Sequence, residues 1–327
     1  MERIMFSRTA LLIISCFLLG FQIKAQQFSE IVAFGDSTSD YGNSLALPET
    51  IPYPSAYPMH PWVKQLAAML KVPALKASGN KSFLGGTIYA YSGSTTKFIS
   101  DMGWGWTAAD KTLLTHNLTD QISTRYLGAF NTGGVKTGPE ALHTIWIGLN
   151  DIVLAYNDRQ QIKEKWKSID EISAGVARSV EDQIQALATA GVKNVLWLNL
   201  PDPSMLPGIQ SQKLAGGSGF KALAGASKAF NKEMDAAILR LKTANPSLNI
   251  IKLDIATRFQ EIISNPSAFG FKNVTSGGFT DNHLFFFDGF HLTPHGNHAV
   301  AKFAFDTLKE MAGQERTNQL SQSAERK

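Results

Sequence analysis

The sequence predicts an α/β domain: three layers, α/β/α, around a central and mainly parallel sheet. Three observations lead there. Short apolar runs of strand length recur at residues 30–34, 144–147, 194–200 and 249–253. Stretches with helical spacing lie between them, the alternation that builds a parallel sheet covered on both faces. The polar motifs sit at the ends of strand-like runs, the edge at which such sheets bind ligands.

The N-terminus comes first. Arg3 and Arg8 supply a positive region before an apolar stretch over residues 9–21, followed by Ile23-Lys24-Ala25. This is the layout of a secretory signal, with cleavage expected after Ala25. The apolar stretch is shorter than the ~20 residues of a membrane span; an uncleaved anchor is the alternative. The one cysteine, Cys16, lies inside this stretch. Ile14-Ser15-Cys16 faintly resembles a lipoprotein acylation site, but the apolar run continues through Phe17-Leu18-Leu19. Removal of residues 1–25 leaves a chain without cysteine, so an exported protein that must rely on its core and not on disulfides. Residues 26–327 are long enough to bury that core as one domain, expected to act as a monomer.

The net charge of +4 falls to about +2 once Arg3, Arg8, Lys24 and Glu2 are removed. No long basic block remains, which argues against nucleic-acid binding. The mild positive balance fits transient contact with a membrane surface and little more.

Helices are expected at 60–71, with Trp62, Leu66, Met69 and Leu70 on one face, and at 169–190, ended by Gly191. A long one covers 221–244 and stops at Asn245-Pro246. The last, 293–311, opens with Thr293 as N-cap and Pro294 at its first position. The polar tail from about residue 314 is expected to fray.

Four motifs carry the chemistry. The run Ile31-Val32-Ala33-Phe34 breaks into Gly35-Asp36-Ser37 and then Thr38-Ser39-Asp40. A serine at a strand-to-helix turn is held rigidly, beside N–H groups that favour negative charge. The alternative is a plain helix cap. Far downstream, Asp288 and His291 stand three apart. A carboxylate accepting from one imidazole nitrogen leaves the other free to take a serine proton; the alternative is a polar loop with a chance pair. Asn150, in Gly148-Leu149-Asn150-Asp151, can donate its amide to a developing oxyanion or serve as an ordinary turn residue. Gly93 can let its N–H approach a ligand closely, or simply make a tight turn.

Gly35-Asp36-Ser37, the loop at Gly93, Gly148-Leu149-Asn150-Asp151 and Asp288-Gly289-Phe290-His291 together resemble the GDSL, or SGNH, serine hydrolases, with a flavodoxin-like fold. The resemblance covers nearly all of residues 26–327. It implies Ser37 as nucleophile, His291 as general base and Asp288 as its orienting carboxylate. It implies an oxyanion hole of the Ser37 backbone, Gly93 N–H and the Asn150 amide, and no metal or organic cofactor. Phe34-Gly35-Asp36-Ser37 with Asp40 and Gly42-Asn43, Asn199-Leu200-Pro201-Asp202-Pro203 and Phe269-Gly270-Phe271 resemble the bacterial lipase-like branch. That branch holds lysophospholipases, thermolabile haemolysins and glycerophospholipid–cholesterol acyltransferases. Ile88-Tyr89-Ala90-Tyr91-Ser92-Gly93-Ser94 and Pro58-Met59-His60-Pro61 depart from its pattern, which bears on substrate preference.

The loop at 94–110 holds Phe98, Met102, Trp104 and Trp106. Trp104 and Trp106 are candidates to line an acyl-chain pocket; the alternative is that they pin the loop to the core. The reaction expected is hydrolysis of a lipid or other carboxylic ester through an acyl-enzyme, in a secreted or periplasmic protein, with a lipid alcohol as an alternative acyl acceptor. A carbohydrate O-acetylesterase is the competing enzyme. A non-catalytic flavodoxin-like module, cradling phosphate at Ser37, Thr38 and Ser39, is the competing class. His291, His295 and His298 lie near Asp288, but Pro294 separates His291 from the helix, so a zinc site is disfavoured. No Gly-x-Ser-x-Gly elbow is present, which disfavours an α/β-hydrolase fold.

Overall fold

The computed structural model describes residues 28–44, 60–79, 86–98, 116–128, 137–157, 168–211, 217–278 and 283–325. The expected signal segment, Met102, Trp104 and Trp106 lie outside them.

Four strands form the main sheet: β1 (Ile31–Gly35), β2 (Leu142–Trp146), β3 (Asn194–Leu198) and β4 (Asn249–Leu253). They pair in that order, all parallel, with Phe34 beside Ile145 and Ile145 beside Trp197. Every residue of β1, β2 and β3 is buried. A strand buried at successive positions has both faces covered, so it reads as a continuous apolar run and not as an alternation. That is why the runs stood out in the sequence.

The segment around Ile88 lies along the other side of β1. Ala33 N–H donates to Thr87 O at 2.8 Å and Tyr89 N–H to Ala33 O at 2.7 Å, in a parallel bridge of Ala33 with Ile88. The chain thus leaves β1 toward one side and returns to the other side as β2. The strand order reverses at β1, and Ser37 stands just beyond its carboxyl end, in the crevice that such a reversal opens.

The helices are α1 (Trp62–Leu70), α2 (Leu149–Asn157), α3 (Ile169–Thr189), α4 (Pro207–Ser211), α5 (Gly217–Ala244), α6 (Ile255–Ser264) and α7 (Pro294–Glu325). Their starts follow local chemistry. Ser168 and Glu171 form a reciprocal capping box on α3. Asp254 caps α6 by accepting from Thr257 N–H. Thr293 Oγ1 accepts from Gly296 N–H at 3.0 Å, with Pro294 opening α7 as the sequence predicts. A π-helical turn spans Asp120–Tyr126, and a small pair, β5 (Asn273–Gly277) and β6 (Leu284–Phe286), precedes α7.

The fully buried side chains include Trp62, Trp197, Phe34, Phe230 and Phe285. Phe285 meets Phe259 and Phe271 edge-on, each with ring centres 5.0 Å apart, a favoured aromatic geometry. One compact unit spans Phe28–Asp306. The tail expected to fray from about residue 314 continues α7 to Glu325; it contains neither Gly nor Pro after Gly313, so nothing local stops the helix. Among the described residues, no helix is long and apolar enough to cross a membrane.

Candidate active site

The turn after β1 depends on Gly35. Its φ is +147°, and a Cβ there would lie 2.3 Å from the Trp146 carbonyl oxygen. Only glycine lets the ends of β1 and β2 come so close. Asp36, Ser37, Thr38 and Ser39 then make a single turn, with Ser39 and Asp40 N–H groups both donating to Asp36 O. Asp36 Oδ1 accepts from Thr38 N–H at 2.9 Å and Thr38 Oγ1–H at 2.8 Å. Trp62 Nε1–H donates to Ser39 Oγ at 3.1 Å, anchoring the far side.

Through Ser44 the chain forms successive turns and not the regular helix the Thr-Ser-Asp cluster suggested. Asp40 has another use. Its carboxylate accepts from Asn43 and Ser44 N–H and from Ser92 N–H and Oγ–H, bringing the Gly93 loop to the Ser37 turn. Burial pushes both the Asp36 and the Asp40 carboxyl above the usual range, against their hydrogen bonds.

Asp288 and His291 project from the loop between β6 and α7. His291 Nδ1 lies 2.7 Å from Asp288 Oδ2, and His291 Nε2 lies 2.9 Å from Ser37 Oγ. Asp288 Oδ1 also accepts from the N–H groups of Phe290 and His291. Burial alone would raise the Asp288 carboxyl; the His291 ring and these backbone donors outweigh it and hold the group below the usual carboxylate range. An ionised Asp288 accepts from Nδ1–H, which leaves the Nε2 lone pair facing the Ser37 hydroxyl.

Glycines seat this loop. Gly289 has φ +93°, and its carbonyl accepts from Gly208 N–H of α4 at 2.9 Å. A Cβ on Gly277 of β5 would lie 2.7 Å from Phe287 O and 3.0 Å from Asp288 Cα. The loop therefore rests on two bare backbones.

The other side of the site is built at the end of β2. Gly148, at φ +119°, turns the chain into α2, and Asn150 lies in its first turn. Asn150 Nδ2–H donates to Ser94 O at 3.0 Å. Gly93, at φ +77°, precedes Ser94, so Asn150 and the Gly93 loop are tied together. The neighbouring Asp151 accepts from Thr96 N–H at 2.9 Å and Thr96 Oγ1–H at 2.6 Å. Burial pushes the Asp151 carboxyl up to about 7, although these donors favour its charged form.

One residue that sequence reasoning missed lies among these. Gln121, fully buried on the π-helical turn, accepts from Gly35 N–H at 2.9 Å and donates to Gly35 O at 2.8 Å. Its amide also reaches Ser94 Oγ and His116 O. No periodicity or local motif marks a glutamine whose partner is 86 residues away. His295 and His298 lie on α7 with rings 6.3 Å apart and nearly parallel; His298 Nδ1 pairs with Gln65 Oε1.

The structure thus brings Ser37, His291 and Asp288 into one hydrogen-bonded chain, and ties Asn150 of α2 to the Gly93 loop. Such an arrangement can transfer a proton from a serine hydroxyl to an imidazole whose charge a carboxylate offsets.

Residues 31–304 match the family model described as GDSL-like lipase/acylhydrolase. The chain is 26% identical over 263 residues to a phosphatidylcholine-sterol acyltransferase of Aeromonas hydrophila, spanning 77% of this chain and 66% of that enzyme. Two GDSL esterase/lipases of Arabidopsis thaliana are 21% identical over 280 residues and 23% identical over 282 residues. These matches cover 78% and 76% of this chain, and 77% and 71% of the plant proteins. The chain belongs to the GDSL-like lipase/acylhydrolase family of carboxylic ester hydrolases.

Proposed function

We propose that this protein is an exported serine esterase that releases fatty acid from a phospholipid or lysophospholipid, with Ser37 as nucleophile. The hydrogen-bonded chain from Asp288 through His291 to Ser37, at 2.7 and 2.9 Å, carries the reading. Ser37 Oγ attacks the ester carbonyl carbon as its proton passes to His291 Nε2. The carbonyl π electrons move to oxygen, and Asp288 offsets the charge of the imidazolium. The Ser37 and Gly93 N–H groups and the Asn150 amide hold the oxyanion. One Asn150 N–H is committed to Ser94 O, so the other is the donor assigned to substrate. The tetrahedral adduct collapses, the ester C–O bond breaks, and His291 returns its proton to the leaving alcohol. Water then attacks the acyl-serine through the same steps and restores Ser37. A lipid alcohol in place of water turns hydrolysis into acyl transfer.

Two observations support a lipid substrate. The similar Aeromonas enzyme is named for transfer between phosphatidylcholine and sterol. The sequence around the Gly93 loop is rich in large apolar side chains, which suits a long acyl group. The apolar, Arg-flanked N-terminus supports export.

The test compares fatty-acid release from lysophosphatidylcholine with cleavage of a short acetyl ester, using Ser37→Ala as control. Serine-dependent release of the long chain is the expected result. Cleavage of the acetyl ester alone would move the substrate to acetylated glycans or small esters. Undiminished turnover by Ser37→Ala would remove the mechanism.

A further inference from the structure

We infer that Gln121 is a positioning residue for catalysis: its side-chain amide fixes the nucleophile turn and the oxyanion loop relative to each other. The inference rests on the esterase reading above and adds a residue that the family motifs do not contain.

The geometry is that of a strand pair made by a side chain. Gln121 Oε1 accepts from Gly35 N–H at 2.9 Å, and Nε2–H donates to Gly35 O at 2.8 Å. One primary amide therefore satisfies both polar groups of a single peptide residue, as a neighbouring strand would. Asn231 of α5 does the same for Leu200, just past β3, at 2.9 Å in each direction. At the carboxyl edge of the sheet, helix-borne amides add to the remaining backbone hydrogen bonds, such as Tyr91 N–H to Gly35 O at 3.3 Å.

Gln121 differs from Asn231 in what else it holds. Its Nε2 also lies 3.2 Å from Ser94 Oγ and 2.9 Å from His116 O. Ser94 Oγ–H donates to that same His116 O at 2.8 Å, and Ser94 O accepts from Asn150. Gly35 is two residues before Ser37, and Ser94 directly follows Gly93. One fully buried amide thus bridges the residue that places the nucleophile and the residue that places the oxyanion donors. The π-helical turn suits this task, because its wider winding reorients a side chain without ending the helix.

Without the amide, Gly35 N–H loses its acceptor in a buried place. The two arms of the site are then set independently. A misplacement near 1 Å costs about 10²-fold in rate, and it falls on the transition state more than on substrate binding.

The experiment uses Gln121→Met, which keeps the side chain's length and removes its hydrogen bonds. It measures kcat and KM for a long-chain ester, and Ki for a trifluoromethyl ketone with the same acyl chain, whose adduct with serine carries an oxyanion. Rates are referred to active serine titrated with a fluorophosphonate. The expected result is a kcat lower by about 10- to 100-fold, KM changed by less than about threefold, and Ki weakened by the same factor as kcat/KM.

Gln121→Glu is the second variant. It keeps an acceptor for Gly35 N–H, and only its protonated carboxyl can donate, so its rate relative to wild type should rise as pH falls. A normalised kcat equal to wild type, or an unchanged Ki, overturns the inference. A flat pH ratio for Gln121→Glu also overturns it. Wild-type turnover with an unimpaired variant removes Gln121 alone. Wild-type protein without Ser37-dependent turnover removes the esterase reading and this inference together.

Discussion

Replacing Gly277 by alanine probes how the loop carrying Asp288 and His291 is held, without touching any group proposed for the chemistry. The new methyl would start 2.7 Å from Phe287 O, 2.9 Å from Gly289 N and 3.0 Å from Asp288 Cα. All three are main-chain atoms, so no change of rotamer relieves the overlap. Ordinary van der Waals contact begins near 3.4 Å, so β5 and the loop must separate by about 0.7 Å, the gap between 2.7 and 3.4 Å. His291 makes hydrogen bonds of 2.7 and 2.9 Å from that loop, and a shift of this size stretches or misaligns them. A displacement somewhat under 1 Å should lower kcat/KM by roughly 10- to 100-fold. Overpacking should cost about 1–3 kcal/mol of stability, read separately from urea unfolding. Gly138→Ala, where nothing lies within 4 Å of the added Cβ, is the control and should keep both activity and stability. The assay is steady-state ester hydrolysis at equal concentrations of titrated active serine. A folded Gly277→Ala protein with kcat/KM within about twofold of wild type would refute the reasoning, because the seat would then not position His291.

Other expectations follow from the same geometry. Asn150→Ala should lower kcat by about 10²–10³-fold with little change in KM, since an oxyanion donor acts mainly in the transition state; a KM effect alone would remove that role. Asp288→Asn should unfold at the same urea midpoint as wild type yet lose roughly 10³–10⁴ in kcat, because the carboxylate that fixes the His291 tautomer is gone; full activity would mean that another group orients the ring. Asp151 bears on stability. Burial raises its carboxyl from 3.8 to about 7, so the folded state holds a proton that the unfolded state releases near pH 4. Its contribution is therefore greatest below pH 4, declines as pH rises toward 7 and is flat above. The stability of wild type relative to Asp151→Asn should fall across that window by no more than about 4 kcal/mol. A difference that rises with pH would mean that the Thr96 donors, and not burial, set the charge of Asp151.

The sequence was legible where signals are local. Four short apolar runs marked the sheet because strands buried on both faces need no polar alternation. Ser37, Asn150 and the Asp288–His291 pair stood out as candidates because each follows such a run or precedes a capped helix, and the structure places Ser37, His291 and Asp288 within hydrogen-bond distance of one another. Boundaries shifted where side chains took over. β3 stops at Leu198; just past it Asn199 turns its side-chain amide to Asp254 Oδ1 and Ala256 N–H, while its own N–H still donates to Leu253 O at 3.2 Å. The residues after Ser37 looked like a helix start, yet Asp40 accepts from Ser92, 52 residues away, and draws the chain into a loop. Gln121 was silent for the same reason: an amide that pairs across the fold leaves no periodic trace. Nothing in the sequence marks Gly277 and Gly208, although their lack of a side chain is what admits the loop carrying Asp288 and His291.

In the proposed mechanism Ser37 carries the acyl group. Protein incubated with lysophosphatidylcholine, quenched in acid during turnover and mapped by peptide mass spectrometry tests it most directly. The expected result is a fatty-acyl adduct on the peptide containing Ser37, absent from His291→Ala. Steady turnover with an adduct on another residue, or with none when deacylation is slowed, would contradict it.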